Sequence, residues 1–156
     1  LSLVQKWANE ALQSIQPLAF FPEQKELIDF LKSENVQIQI ITASIKWAVE
    51  PGAKFLGLTS DDVIGVETHV RDQIVTDEQK GIITYKKGKV EALTQKIGKN
   101  PFLAAGNSEG DLDLLESSTH IKLAVSAANR DDKLYRTEYN LQQIAQEKNW
   151  LHHRFI

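Results

Sequence analysis

Short apolar runs alternate with amphipathic helical patterns along this chain, and the connections between them are brief. That alternation limits the fold to an α/β arrangement in which helices cover a mostly parallel sheet. Val36 to Thr42 (VQIQIIT) begins with apolar alternation and ends in a continuous apolar pair, so it reads as a strand buried on one or both faces. Phe102 to Ala105 (FLAA) and Ile121 to Val125 read as two more strands, and Ile82 to Tyr85 as a fourth, short one. Asp62 to Val70 and Gln73 to Thr76 flank Arg71 and Asp72, which predicts a small β-hairpin insertion.

Helical periodicity fills the intervals. Leu3, Val4, Trp7, Ala8, Ala11, Leu12 and Ile15 form one apolar stripe, with Ser2 as its expected cap. Pro17 and Pro22 interrupt the chain, and a helix is expected again over Glu23 to Ser33. Further helices are expected over Ile45 to Leu56, Gly88 to Ile97 (stopped by Gly98), Gly110 to Glu116, and Asp131 to Asn149. Trp150 to Ile156 carries no pattern that assigns it.

Composition excludes several classes of function. The 156 residues are 42% hydrophobic and 25% charged, ordinary for a globular core. Eighteen basic against twenty-one acidic side chains give a net charge of −3 with no like-charged run, so neither nucleic acid nor a membrane surface is an expected partner. No apolar stretch approaches the roughly 20 residues of a spanning helix. Cysteine is absent, which removes disulfide and thiolate chemistry. A cytoplasmic location is the default expectation, although a targeting segment upstream of Leu1 would be invisible here.

In parallel α/β sheets, ligands bind beyond the carboxyl ends of the strands. Thr42, Ala43 and Ser44 follow the first strand, Lys89 opens a helix after a glycine, and GNSEGD (Gly106 to Asp111) follows FLAA. Taken singly, these are a β-former, a surface lysine and a first-turn acid. In this order they supply a hydroxyl, an ammonium and a carboxylate, the groups needed to hold phosphoryl oxygens and a hard cation. Asp113 points about 200° from Asp111 on the starting helix and reads as an exposed or capping acid. His69, His120, His152 and His153 have no metal-ligand spacing, and Trp7, Trp47 and Trp150 read as core or interface anchors.

The stretches IITAS with VEP downstream (Thr42 to Pro51), GKVEAL (Gly88 to Leu93) and AAGNSEGDLDLL (Ala104 to Leu115) resemble the haloacid dehalogenase (HAD) superfamily, in its phosphoserine phosphatase-like branch. The resemblance covers roughly Phe21 to Val125 and implies a Rossmann-like, HAD-like core. It also implies a Mg²⁺-dependent phosphatase acting on a small phosphorylated metabolite. In that frame Thr42 and Lys89 are catalytic, and Thr42, Ala43, Ser44 and Lys89 bind phosphate. Asp111 holds the metal, Asn107 supports it from a position where many relatives have a second acid, and Ser108 bonds alongside. Leu1 to Gln16 would be a remnant of a helical cap or a linker, and residues 17–156 the core.

The resembled family carries its nucleophile and its general acid-base in a DxD motif on a preceding central strand. Here the only such spacing is Asp111-Leu112-Asp113, which is already placed in the acidic loop. The resemblance therefore implies that the nucleophile and the central strand are absent from this chain, which alone would be inactive. A separately bound N-terminal peptide, a second copy of the chain, or a rearranged strand order is expected to fill the gap. The competing expectation is a non-catalytic regulatory or interaction domain on the same scaffold.

Overall fold

The computed structural model describes residues 1–15 and 20–155 and divides into two compact units, Leu1–Thr84 and Tyr85–Ile156. Pro17, the expected boundary after Gln16 and the final Ile156 lie outside the described residues.

The first unit contains α1 (Ser2–Ser14), α2 (Pro22–Ser33), β1 (Ile40–Ile45), α3 (Lys46–Phe55), β2 (Val63–Arg71) and β3 (Ile74–Lys80). Leu1 takes the N-cap position of α1 and Ser2 lies within the helix, with no side-chain cap hydrogen bond. Pro22 occupies the first turn of α2, where its missing N–H costs nothing. Ala53, Leu58 and Val63 form the buried core, with Ile38, Ile40, Val49 and Leu56 packed around it. α1 packs on α3 but buries none of its own side chains, and Trp7 is 58% exposed, outside the core.

Strand order in this unit is β1-β2-β3, parallel between the first pair and antiparallel between the second. The first strand starts four residues later than its apolar pattern suggests. Register explains this: Ile40 pairs with Val63, the first residue of β2, so Val36 to Gln39 have no ladder to join. The expected hairpin forms around Asp72 and Gln73, both at positive φ (48° and 65°), the backbone that a two-residue turn between twisted strands demands. It is not an appendage, because β2 also pairs with β1.

Residues 82–85 do not form the expected strand. Gly81 and Lys86, at φ 76° and 50°, turn the chain at both ends of the segment. Thr84, fully buried, is tied instead by its hydroxyl, which donates to the Thr42 carbonyl at 2.5 Å.

The second unit contains α4 (Lys87–Ile97), β4 (Leu103–Gly106), a 3₁₀ turn (Glu109–Asp111), α5 (Leu112–Ser117), β5 (Ile121–Ser126), α6 (Tyr135–Glu147) and β6 (Leu151–Arg154). Its sheet is wholly parallel, in the order β4-β5-β6. Gly98, in the left-handed region, closes α4 as expected. Leu115, Ala124, Leu141 and Ala145 are completely buried between the sheet and its helices. Burial of a leucine such as Leu115 is worth about 2 kcal/mol.

β6 was not foreseen. All four of its residues are exposed and only Leu151 is apolar, so no hydrophobic pattern marks it. It forms because its backbone pairs with Leu123 to Ser126, and Arg154 donates to the Ala128 carbonyl at 2.8 Å. α6 begins at Tyr135 rather than near Asp131, because the Asp132 carboxylate accepts the Leu134 N–H at 2.8 Å in a local turn. Trp150 lies against the ammonium groups of Lys122 and Lys148, 5.8 and 5.5 Å from its ring centre.

Among the described residues, β1 pairs only with β2 and β4 only with β5, so each has one edge without a ladder. β1 also carries a bulge: the three residues between Ile41 and Ile45 face the single residue between Ile64 and Val66. Gly65 lies opposite. A Cβ there would meet the Ser44 carbonyl oxygen at 3.0 Å and the Lys46 Cα at 2.9 Å, both backbone atoms. Gly65→Ala is expected to lower stability by about 1–3 kcal/mol through overpacking. Urea denaturation measures this; an unchanged midpoint would mean the Thr42 to Lys46 turn yields freely.

Candidate active site

The bulge in β1 falls on Thr42, Ala43 and Ser44. Ala43 and Ser44 are exposed and Thr42 half-buried. The Thr42 hydroxyl oxygen accepts the Ser44 N–H at 3.1 Å, and the Thr42 carbonyl is held by Thr84. Thr42 is thus fixed at both its side chain and its backbone, and with Ala43 and Ser44 it lies inside β1 rather than after the strand as the sequence suggested. Trp47, just beyond, is buried and belongs to the packing of α3.

In the second unit, Lys89 and Asp111 meet. Lys89 Nζ is 2.5 Å from Asp111 Oδ1, and both side chains are 9% exposed. Neither is the solvated group its isolated sequence context suggests. Asp111 Oδ2 accepts three further hydrogen bonds, from the Asn107 N–H, the Ser108 N–H and the Ser108 hydroxyl, each at 3.1 Å. The bond from the Ser108 N–H, together with the Asp111 backbone N–H donating back to the Ser108 hydroxyl oxygen, makes a capping box for the 3₁₀ turn. One carboxylate therefore closes the loop after β4, starts the helical turn and neutralises a buried ammonium. A carboxylate offers about four acceptor positions. Oδ1, which among the described residues is shown bonded to Lys89, retains acceptor capacity.

Gly106 makes this possible. A Cβ on it would stand 2.8 Å from Asp111 Cγ and 3.0 Å from Oδ2, inside contact distance. Asp113 is in the first turn of α5, where an acid favours the helix dipole.

The first turn of α6 holds the same loop from behind, and sequence patterning alone did not single it out. Glu138, 4% exposed, accepts the Asn107 side-chain NH₂ at 2.9 Å through Oε1, and the Ala127 and Ala128 N–H groups at 2.8 Å each through Oε2. Thr137 accepts the Glu109 N–H, and Asn140 donates to the Glu109 carboxylate, both at 3.1 Å. The missed signal was an acid on an apolar stripe, since Glu138, Leu141 and Ala145 share one buried face of α6.

Residues 2–116 match the family model of the haloacid dehalogenase-like hydrolases. The chain belongs to this haloacid dehalogenase-like hydrolase family. Solved structures agree in fold. A Bordetella pertussis Tohama I protein of unknown function aligns with a TM-score of 0.80 at 18% identity, over 97% of this chain and 66% of its own. A conserved, functionally unknown Anaerococcus prevotii DSM 20548 protein gives 0.76 at 19%, over 97% and 49%. A phosphoserine phosphohydrolase-like protein from Francisella tularensis subsp. tularensis SCHU S4 gives 0.60 at 20%, over 78% and 57%. This haloacid dehalogenase-like chain thus spans between half and two thirds of the length of these structures. No curated protein matches it. No helix among the described residues is long and apolar enough to cross a membrane.

For a member of this family the question of a cation arises at Asp111. Among the described residues no group of three or more His, Asp or Glu is arranged to hold a metal ion. The residues present fit Mg²⁺ as part of a shell: Asp111 Oδ1 and the Asn107 amide oxygen are hard oxygen donors, and this ion keeps several waters beside one or two carboxylates. Replacing Lys89 by Met leaves a buried carboxylate facing only neutral donors. Stability is expected to fall by about 3–5 kcal/mol, and urea denaturation checks it; a loss under about 1 kcal/mol would place the pair in water.

Proposed function

We propose that this chain is the body of a Mg²⁺-dependent phosphomonoester hydrolase acting on small phosphorylated metabolites. The observation that carries the reading is the buried Lys89–Asp111 contact at the carboxyl end of β4, held by the amides of its own loop. A preorganised ammonium and carboxylate, partly withdrawn from water, are suited to a dianionic phosphoryl group and its counter-cation. In the other unit, the Thr42 hydroxyl and the exposed Ala43 and Ser44 in the bulge of β1 are suited to bind phosphate. When bound, Mg²⁺ supplies positive charge against the phosphoryl oxygens.

The attacking carboxylate comes from outside these 156 residues. Asp111 Oδ2 is taken up by the cap and Oδ1 serves the ammonium and the cation, and no other DxD spacing exists in the chain. The attacking aspartate would be brought by an N-terminal segment of the same protein or by a second copy of the chain. An oxygen of that aspartate bonds to phosphorus as the ester P–O bond breaks and the leaving alkoxide takes a proton. Water then cleaves the acyl phosphate, which regenerates the carboxylate and releases inorganic phosphate.

A second reading rests on the same carboxylate. Its three-bond cap and its ion pair are also what a purely structural aspartate makes, which favours a non-catalytic regulatory domain. Turnover of an aryl phosphate with Mg²⁺ separates the two, comparing this chain with a version extended through its upstream coding sequence. The hydrolase reading expects activity only in the longer protein, with Asp111→Ala lowering kcat on the order of 10²-fold or more. Inactivity of both supports the regulatory domain. Turnover by the shorter chain that Asp111→Ala abolishes would put the nucleophile at Asp111 instead.

A further inference from the structure

We infer that Glu138 is a positioning residue: it fixes the Asn107 amide so that its carbonyl oxygen, rather than its NH₂, is offered to a cation at Asp111. The inference rests on the metal-dependent reading above and adds a residue and an orientation to it.

An asparagine amide has a donor end and an acceptor end of nearly the same shape, and its chemical surroundings decide which way it faces. Three N–H donors converge on Glu138, from Ala127, Ala128 and Asn107, which identifies it as an acceptor-only carboxylate. Only the NH₂ end of Asn107 satisfies it. The carbonyl end is then turned from Glu138, on an exposed residue whose own backbone N–H lies on Asp111. Hard cations take oxygen and reject an N–H donor, so this orientation separates a usable ligand from a repulsive one. The choice is set from α6, thirty-one residues away in sequence.

Glu138→Gln reverses it. The two backbone N–H groups of Ala127 and Ala128 keep the glutamine carbonyl where Oε2 now lies, so the new NH₂ must face Asn107. Asn107 then flips to accept from it and presents its own NH₂ outward. Asn107→Asp added to Glu138→Gln restores the match, because the aspartate accepts from the glutamine and still offers an oxygen.

The test is a Mg²⁺ titration of the protein extended through its upstream coding sequence, followed by ¹⁵N NMR, with the Asn107 side-chain amide pair as direct reporter and circular dichroism as the check on folding. Glu138→Gln is expected to shift that pair and to weaken Mg²⁺ by about tenfold or more, as losses of ligand-orienting partners do. The double variant should regain the original affinity or exceed it. Asn107→Ala, which leaves the bonds of Glu138 to Ala127 and Ala128 in place, should weaken Mg²⁺ equally and serves if Glu138→Gln does not fold. If Mg²⁺ binds and Asp111→Ala abolishes binding while Glu138→Gln or Asn107→Ala changes nothing, the orientation is wrong and the metal reading stands. Failure of the double variant to recover also overturns the inference. If Mg²⁺ perturbs nothing in the unaltered chain, the metal reading falls and takes the inference with it.

Discussion

The contact between Lys89 and Asp111 is the interaction on which the second unit's functional end depends. Two opposite charges placed 9% exposed are tolerable only when each is compensated, and here the compensation is local. The ammonium comes from the first turn of α4. Asp111's remaining donors come from its own loop, within four residues. A loop folded around its own carboxylate needs no movement to present that carboxylate, so the electrostatic groundwork is laid before any ligand arrives.

Behind that loop, α6 ties together the segments that follow β4 and β5. Glu138 reaches Asn107 on one side and Ala127 and Ala128 on the other, while Thr137 and Asn140 bind Glu109. The sheet ends are therefore cross-braced by polar groups rather than by apolar packing. Such bracing gives direction as well as stability, because each hydrogen bond specifies which end of a side chain faces where.

Much of this could be read from the residues alone. The helix–strand alternation and the order Thr42, Lys89, Asp111 led to the α/β fold and the haloacid dehalogenase-like family, since both depend on local periodicity and spacing. Burial of Lys89 and Asp111 could not be read, because a charged side chain declares itself exposed until its partner is known. β6 escaped because its ladder is made by backbone atoms, which leave no trace in exposed side chains. The strand expected at Ile82 to Tyr85 failed for the converse reason: its apolar and β-branched residues suit a strand, but positive φ at Gly81 and Lys86 bends the chain away from one. Glu138 was visible as an anomaly, an acid on an apolar face, but its meaning required the loops it touches.

The closeness of Gly106 to Asp111 turns one position into a sieve for related sequences. Because the missing side chain is the space that the carboxylate fills, a chain of this fold with any larger residue there must hold its acid elsewhere or have none to hold. Position 106 therefore sorts distant relatives by whether they retain this loop geometry, and it does so without reference to the acid itself.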